Sequence, residues 1–253
     1  SSLGTLGFST PTGIVSTGFT TPESVDLHQI IRTLVNGGID YIPMEISSHA
    51  IKLHRIDDIR IDMAIFTNLS IDHLDFHHNM EEYFNTKLKL FTKLNSNSIA
   101  ILNGDDIYFN KITKKIKCKN ISYGFQKHNT LTAISYKLKI DSTDIIIKYS
   151  NIKYKIKTKL IGVFNIYNIL GAIACALNLN INIKEIINSI EKFEGVPGRL
   201  EQFRIYNNNH AIVDYAHSPD SFENILSTIK EITKKKIITI FGCGGDRDKS
   251  KRN

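Results

Sequence analysis

Apolar and polar positions first fall into a helical rhythm at Leu27, Ile30, Ile31, Leu34 and Val35, a spacing that lines one face of a helix. Thr21 is placed to cap that helix, Pro22 suits its first position, Glu23 favours its positive end, and Gly37-Gly38 stops it. Three mostly apolar runs then read as buried strands: Ile39 to Met44, ending at Glu45; Met63 to Thr67, ending at Asn68; and Ile99 to Leu102, ending at Asn103-Gly104-Asp105-Asp106. Before the last run, Asn79 with Glu82 resembles a capping box, and Phe84, Leu88 and Phe91 form the stripe of the helix it opens. Between residues 131 and 161 the period drops to two, which predicts three short antiparallel strands. Helices are expected over 166–178 and 183–192. Beyond the hinge-like Gly195-Val196-Pro197-Gly198, a strand–helix–strand unit is expected at Ala211–Val213, Pro219–Ile232 and Ile237–Phe241.

Strand alternating with helix implies an α/β fold. The expected architecture is a mostly parallel central sheet flanked by helices, with a small antiparallel patch, in residues 1–198. Residues 199–253 are expected to begin a second, Rossmann-like domain that the chain leaves truncated. Ligands of such sheets sit outside the carboxyl ends of the strands, and the unusual polar clusters of this chain follow its strands.

Composition narrows the class. The chain has 253 residues, 42% hydrophobic and 23% charged, as in ordinary soluble globular proteins. No apolar run approaches the ~20 residues that cross a bilayer, and Ser1 to Thr5 shows no signal-peptide pattern, so no membrane insertion is expected. Cys118, Cys175 and Cys243 are odd in number and far apart, which favours a reducing cytoplasm over a disulfide framework. The net charge of +7 comes mostly from Lys, with only seven Arg. Its densest stretch, Ile152 to Leu160, alternates strictly, so the lysines share the wet face of one strand. That pattern, without interleaved Arg and aromatic residues, argues against nucleic acid as a partner.

The densest chemistry lies in Asn68-Leu69-Ser70-Ile71-Asp72-His73-Leu74-Asp75-Phe76-His77-His78. Asp and His so close together can bind a divalent metal, and Glu45 could converge on the same place. A metal-dependent hydrolase using Asp72, His73 and His77 is one reading. Lys87 has Tyr83 four residues before it and Leu90 three after, at the edge of the buried helix face. Spacing alone favours a snorkelling lysine with its amine in water.

The words that follow one another along the chain resemble the Mur ligase family. They are Met44-Glu45-Ile46-Ser47-Ser48-His49-Ala50; Phe66 to His77; Met80-Glu81-Glu82-Tyr83 with Lys87; Gly162-Val163-Phe164-Asn165-Ile166-Tyr167-Asn168; Gly195 to Glu201; Val213 to Asp220; and Phe241 to Lys249. Order and spacing are similar to those of the members that add the third residue of the peptidoglycan stem peptide. The resemblance implies that ATP phosphorylates a carboxylate of UDP-N-acetylmuramoyl-L-alanyl-D-glutamate, and that a diamino acid, expected to be meso-diaminopimelate, displaces the phosphate. It implies Mg2+ held by Glu45, His73 and Lys87, with Lys87 carbamylated to N6-carboxylysine. These three carry the catalytic assignment. Thr20, Thr21, Ser47 and Arg55 correspond to substrate contacts. Asn165, Asn168, Arg199 and Asp214 correspond to the ATP site, with His217 nearby, and Asp246 to Arg252 lead toward the amino-acid pocket. Thr21 and Ser47 could equally be plain caps, as could Asn165 and Asn168. A cytoplasmic monomer is expected.

Leu53 stands where some members carry a substrate-contacting Gln, and Phe19 where a polar residue is common. No Gly-x-x-Gly-Lys-Thr loop occurs in these residues; the resemblance puts it just upstream of Gly4, so the chain read by itself is expected to hydrolyse ATP poorly. A fragment of the ligase and a non-catalytic remnant of it both remain open.

Overall fold

The computed structural model of the chain describes residues 1–10 and 13–242. It opens with a meander of three short antiparallel strands, β1 (Ser2–Gly4), β2 (Gly7–Thr10) and β3 (Gly13–Val15). Helices α1 (Ser24–Asn36) and α2 (Ser48–Lys52) follow. Then come β4 (Met63–Phe66), α3 (Met80–Thr92), β5 (Ile99–Asn103), α4 (Phe109–Thr113), β6 (Lys119–Gly124), β7 (Leu131–Leu138), β8 (Thr143–Tyr149) and β9 (Ile152–Thr158). Strands β4 to β9 form one sheet in chain order, parallel from β4 to β7 and antiparallel from β7 to β9. The expected α/β architecture with its antiparallel patch is thus present. Helices α5 (Val163–Asn178) and α6 (Ile183–Lys192) lead to a β-hairpin, β10 (Glu201–Ile205) and β11 (Asn209–Val213), and to α7 (Pro219–Ile232).

Strand β5 runs through the centre of the core. Ile101 packs with Tyr123, Leu131, Ile147, Leu170 and Ile173 on the α5 side. Ala100 and Leu102 pack with Phe66, Phe84, Phe91 and Ile112 on the α3 side. A parallel strand covered on both faces needs a continuous apolar run, which is what Ile99 to Leu102 supplies. Helix α5 approaches closely at Gly171, where a Cβ would lie 3.4 Å from the Tyr123 ring and hydroxyl. Buried Tyr123 donates its hydroxyl to Phe66 O at 3.1 Å.

A second tie lies just past β5. The Asp105 carboxylate accepts from Phe125 N at 2.5 Å, Gln126 N at 3.2 Å, Asn129 Nδ2 at 2.8 Å and Tyr167 Oη at 2.9 Å. One side chain thereby binds the turn after β5, the turn after β6 and the first turns of α5. Gly124 makes room for it: its φ is +156°, and a Cβ there would lie 2.5 Å from the carboxylate.

Several expectations need correction. Thr21 does not cap α1; Glu23 is the cap residue, without a side-chain bond, and Pro22 precedes it. The Thr21 hydroxyl is drawn away to Glu45 O at 2.8 Å and accepts from Ser47 N at 3.1 Å. Ile39–Met44 is no strand. Its pairing with β1 is a single parallel bridge, Leu3 to Met44, because β1 is short and Pro43 has no N–H to continue a ladder. Asn79 accepts from Glu82 N at 2.8 Å, but the Glu82 carboxylate takes His78 N and Lys52 rather than closing a capping box. Helix α5 starts behind Gly162, so Asn165 and Asn168 are not caps. Residues 237–241 form no ladder among the described residues, and Ile240 is 94% exposed.

Ile101→Ala should cost about 2–5 kcal/mol in urea unfolding, because the rigid layers on both sides cannot close the void. Val25→Ala, at a site 79% exposed on α1, should stay within about 0.5 kcal/mol of the parent.

Candidate functional site

The site is built where β1 turns past the segment following α1. Glu45 is held there by Thr5, whose backbone N–H and hydroxyl both donate to Oε2, at 3.1 and 2.8 Å. The Thr5 hydroxyl also lies 3.2 Å from Thr20 Oγ1. Gly4 lets the carboxylate come close, since a Cβ there would sit 3.1 Å from Oε2. The other oxygen, Oε1, makes no hydrogen bond among the described residues, so one acceptor stays available at an exposed position.

Across from it, α3 presents Lys87. The residue is half-buried, and its Nζ lies 5.2 Å from the centre of the Tyr83 ring without a hydrogen bond among the described residues. Burial draws the amine pKa below the ordinary lysine value, while the charges of Glu45 and Asp72 act in the opposite sense. Those two carboxylates are therefore near enough to act on the amine. Tyr83 is itself buried, and its phenol is pushed up to about 12, mainly by burial. The amine of half-buried Lys87, which spacing alone would place in water, lies instead against the Tyr83 ring.

His73 comes from the loop between β4 and α3. Its φ of +55° puts a non-glycine residue in the left-handed region, and its N–H donates to Asp72 Oδ1 at 2.8 Å. The His73 ring meets the edge of Tyr83 at 6.0 Å and of His49 at 5.3 Å. Asp72, His73 and Lys87 thus gather around Tyr83, and Glu45 lies near enough to Lys87 to act on its charge. His77 does not join them as a ligand. It is fully buried, its Nε2 lies 2.9 Å from Ser48 Oγ, and its ring stacks on Tyr83 at 4.9 Å. The hydrolase triad Asp72, His73 and His77 is therefore not assembled. No group of three or more His, Cys, Asp or Glu suited to a metal occurs among the described residues.

Arg55 lies beside Thr21 and Ser47. Its guanidinium donates to Thr21 O at 3.0 Å, pairs with Glu23, and lies 5.2 Å from the Phe19 ring centre. The side chain is 11% exposed and its Nε has no partner among the described residues, whereas Glu23 is 56% exposed. Ser47 caps α2 through Ala50 N at 3.1 Å. Phe19, noted as an unusual residue in the sequence, is the ring that covers this arginine.

The remaining residues border a cleft of about 1530 Å³, lined by Gly4, Thr5, Glu45, Asn165, Asn168, Arg199, Asp214 and His217 among others. Asn165 donates to Ile161 O at 2.8 Å, and Asn168 to Asn165 Oδ1 at 3.2 Å. Arg199 lies 4.8 Å from the Tyr215 ring centre. Asp214 accepts from Leu200 N and Ala216 N, both at 2.7 Å, which fixes the crossing of the two chain segments. Sequence reasoning missed Thr5, although its place beside Gly4 in a tight turn was readable. The stretch Asp246–Arg252 lies outside the described residues.

Residues 1–176 match the family model described as Mur ligase middle domain, and residues 198–253 match the one described as Mur ligase, glutamate ligase domain. The chain belongs to the Mur ligase family. Among similar proteins, the UDP-N-acetylmuramoyl-L-alanyl-D-glutamate--2,6-diaminopimelate ligase of Clostridium tetani is 42% identical over 236 residues, covering 92% of this chain and 48% of that protein. The ligase of the same name from Geobacter sulfurreducens is 39% identical over 258 residues, covering 99% of this chain and 50% of that one. This chain thus spans about half the length of the curated relatives it matches. A solved structure of a ligase with that name superposes with a TM-score of 0.80 at 26% identity, over 99% of this chain and 52% of that one. The MurF ligase of Thermotoga maritima in complex with ADP superposes at 0.66 with 18% identity, over 76% of this chain and 46% of that one, a likeness of fold.

The Mur ligase loop also carries a pH dependence. Burial lowers the His77 pKa from 6.5, helped by the charges of Lys52 and His49. Such a group takes up a proton on unfolding, so its stabilisation is complete above about pH 6.5 and is lost as pH falls toward the folded value. Urea unfolding at about pH 7.5 and about pH 5.5 should show the parent losing more stability than His77→Phe. Equal losses would show that another group controls the acid limb.

Proposed function

We propose that these residues serve an ATP-dependent ligase that joins a diamino acid, meso-diaminopimelate, to UDP-N-acetylmuramoyl-L-alanyl-D-glutamate in peptidoglycan synthesis. The observation that carries the reading is the withdrawn Lys87 amine facing Glu45 and Asp72, with Glu45 also on the cleft that Asn165, Asn168, Arg199 and Asp214 border. The names of the relatives and the family match support the substrate class. The reading makes the protein a cytoplasmic monomer; no helix among the described residues is long and apolar enough to cross a membrane.

In this reading a γ-phosphoryl group passes from ATP to the substrate carboxylate, giving an acyl phosphate and ADP. The incoming amine then attacks the acyl carbon, phosphate departs and the nitrogen loses a proton. Asn165 and Asn168 receive the adenine, Arg199 and Asp214 the ribose, and Thr20, Thr21, Ser47 and Arg55 the UDP-muramoyl-dipeptide. Triphosphate and carboxylate repel, and Mg2+ held by Glu45, His73 and a carbamylated Lys87 would offset that charge. The donor set fits: Glu45 keeps one oxygen unbonded among the described residues, and Lys87 adds an anion beside it only if it is first a free amine. Its lone pair then attacks the carbon of CO2, a C–N bond forms, one C=O pair moves to oxygen and one proton leaves to water.

Substitutions at two residues test this in the full-length protein. Lys87→Ala should abolish ligation with the fold intact, and short carboxylates such as acetate should restore part of it. Lys87→Arg should fail as well, because guanidinium stays charged; near-normal turnover there would remove Lys87 from the catalytic list. Arg55→Ala should weaken the UDP-muramoyl-dipeptide roughly tenfold to a hundredfold and ATP little, the loss of a charge-assisted bond of about 1.5–3 kcal/mol. Equal weakening of both substrates would indicate damaged folding instead of a lost clamp.

A further inference from the structure

Lys87 carries its amine on a flexible stem, and Nζ has no hydrogen bond among the described residues to fix it. What it meets is the Tyr83 ring, which also borders His73. The position of that ring therefore bears on where the amine and the histidine stand relative to each other. Tyr83 is held in turn by His77, stacked on it with 19° between the planes. His77 is fixed by Ser48 Oγ at 2.9 Å and by the edge-on Phe76 ring at 4.8 Å. Ser48, the first residue of α2, is buried, so this chain of contacts starts from a rigid point.

We infer that His77 is a positioning residue that, through the Tyr83 ring, holds the Lys87 amine in the orientation that takes up CO2. The inference rests on the carbamate reading of Lys87. His77 touches no reacting atom; its effect runs through ring stacking, and the bond to Ser48 orients the imidazole. The stack, a flat ring against Tyr83, is the part that acts on Lys87. Outer residues that orient a ligand set commonly matter tenfold or more without touching the bound group.

Labelled 13C-bicarbonate titrated into the protein, with carbamate read by NMR, measures the CO2 affinity of Lys87 directly. His77→Gln keeps a donor toward Ser48 and removes the ring; the carbamate affinity should fall about tenfold. His77→Phe keeps the ring and removes the bond; the affinity should stay within about threefold of the parent. A structural role alone would lower thermal stability in both variants and leave the carbamate affinity of the folded protein unmoved. A folded His77→Gln protein with parental affinity overturns the inference, as does a folded His77→Phe protein that has lost it. Loss of fold in both variants makes His77 structural and overturns it too. If the parent shows no signal that disappears in Lys87→Ala, the carbamate reading falls and takes this one with it. A parental signal unchanged by His77→Gln removes the positioning role alone.

Discussion

Ile101 faces the α5 layer, Ala100 and Leu102 face the α3 layer, and none of the three retains contact with solvent. A strand without a wet face has nowhere to carry polar residues except at its ends. Polar groups collect at the carboxyl end, where Asn103 Nδ2 donates to Thr67 O at 2.8 Å and Asp106 Oδ2 accepts from Leu69 N at 3.3 Å. Those two bonds tie the exits of β4 and β5 together. The loop bearing Asp72 and His73 starts from that tie, and α3 brings Lys87 back to it.

Much of this was legible in the sequence wherever one face of an element was buried. The lysines at 153, 155 and 157 do stand on the exposed face of β9, and the stripe of α3 buries Phe84 and Phe91. Strand β6 was not read. Lys119 and Asn120 open it and Gly124 closes it, so only its middle is apolar, and its place comes from pairing with β5. The initial meander escaped for a similar reason: β1 to β3 hold three or four residues each, too few to show a period. Thr21 failed as a cap because a carbonyl and an N–H from the Glu45–Ser47 segment outcompeted the helix for its hydroxyl.

For the candidate site, the residue types were readable and their partners were not. Glu45 and Lys87 lie 42 positions apart in the chain (87 − 45), and nothing in either local pattern indicates that their charges interact. Arg55, expected among the substrate contacts, is covered by Phe19 and paired to Glu23, neighbours that its own stretch of sequence does not reveal. His77 looked like a ligand, but the chain turns it inward, through the backbone bend that His73 makes at its positive φ. Long-range packing decides such matters, and a single sequence does not carry it.

Asp105 and Gly124 show what this kind of packing demands of a lineage. The carboxylate satisfies four donors in the space that a side chain at 124 would fill. A larger residue at 124 evicts the acid and strands those donors, while a smaller one at 105 strands them without benefit. Neither position can drift by single steps, so the two are expected to change together or stay fixed, a signature that an alignment would display as covariation between positions 19 apart (124 − 105).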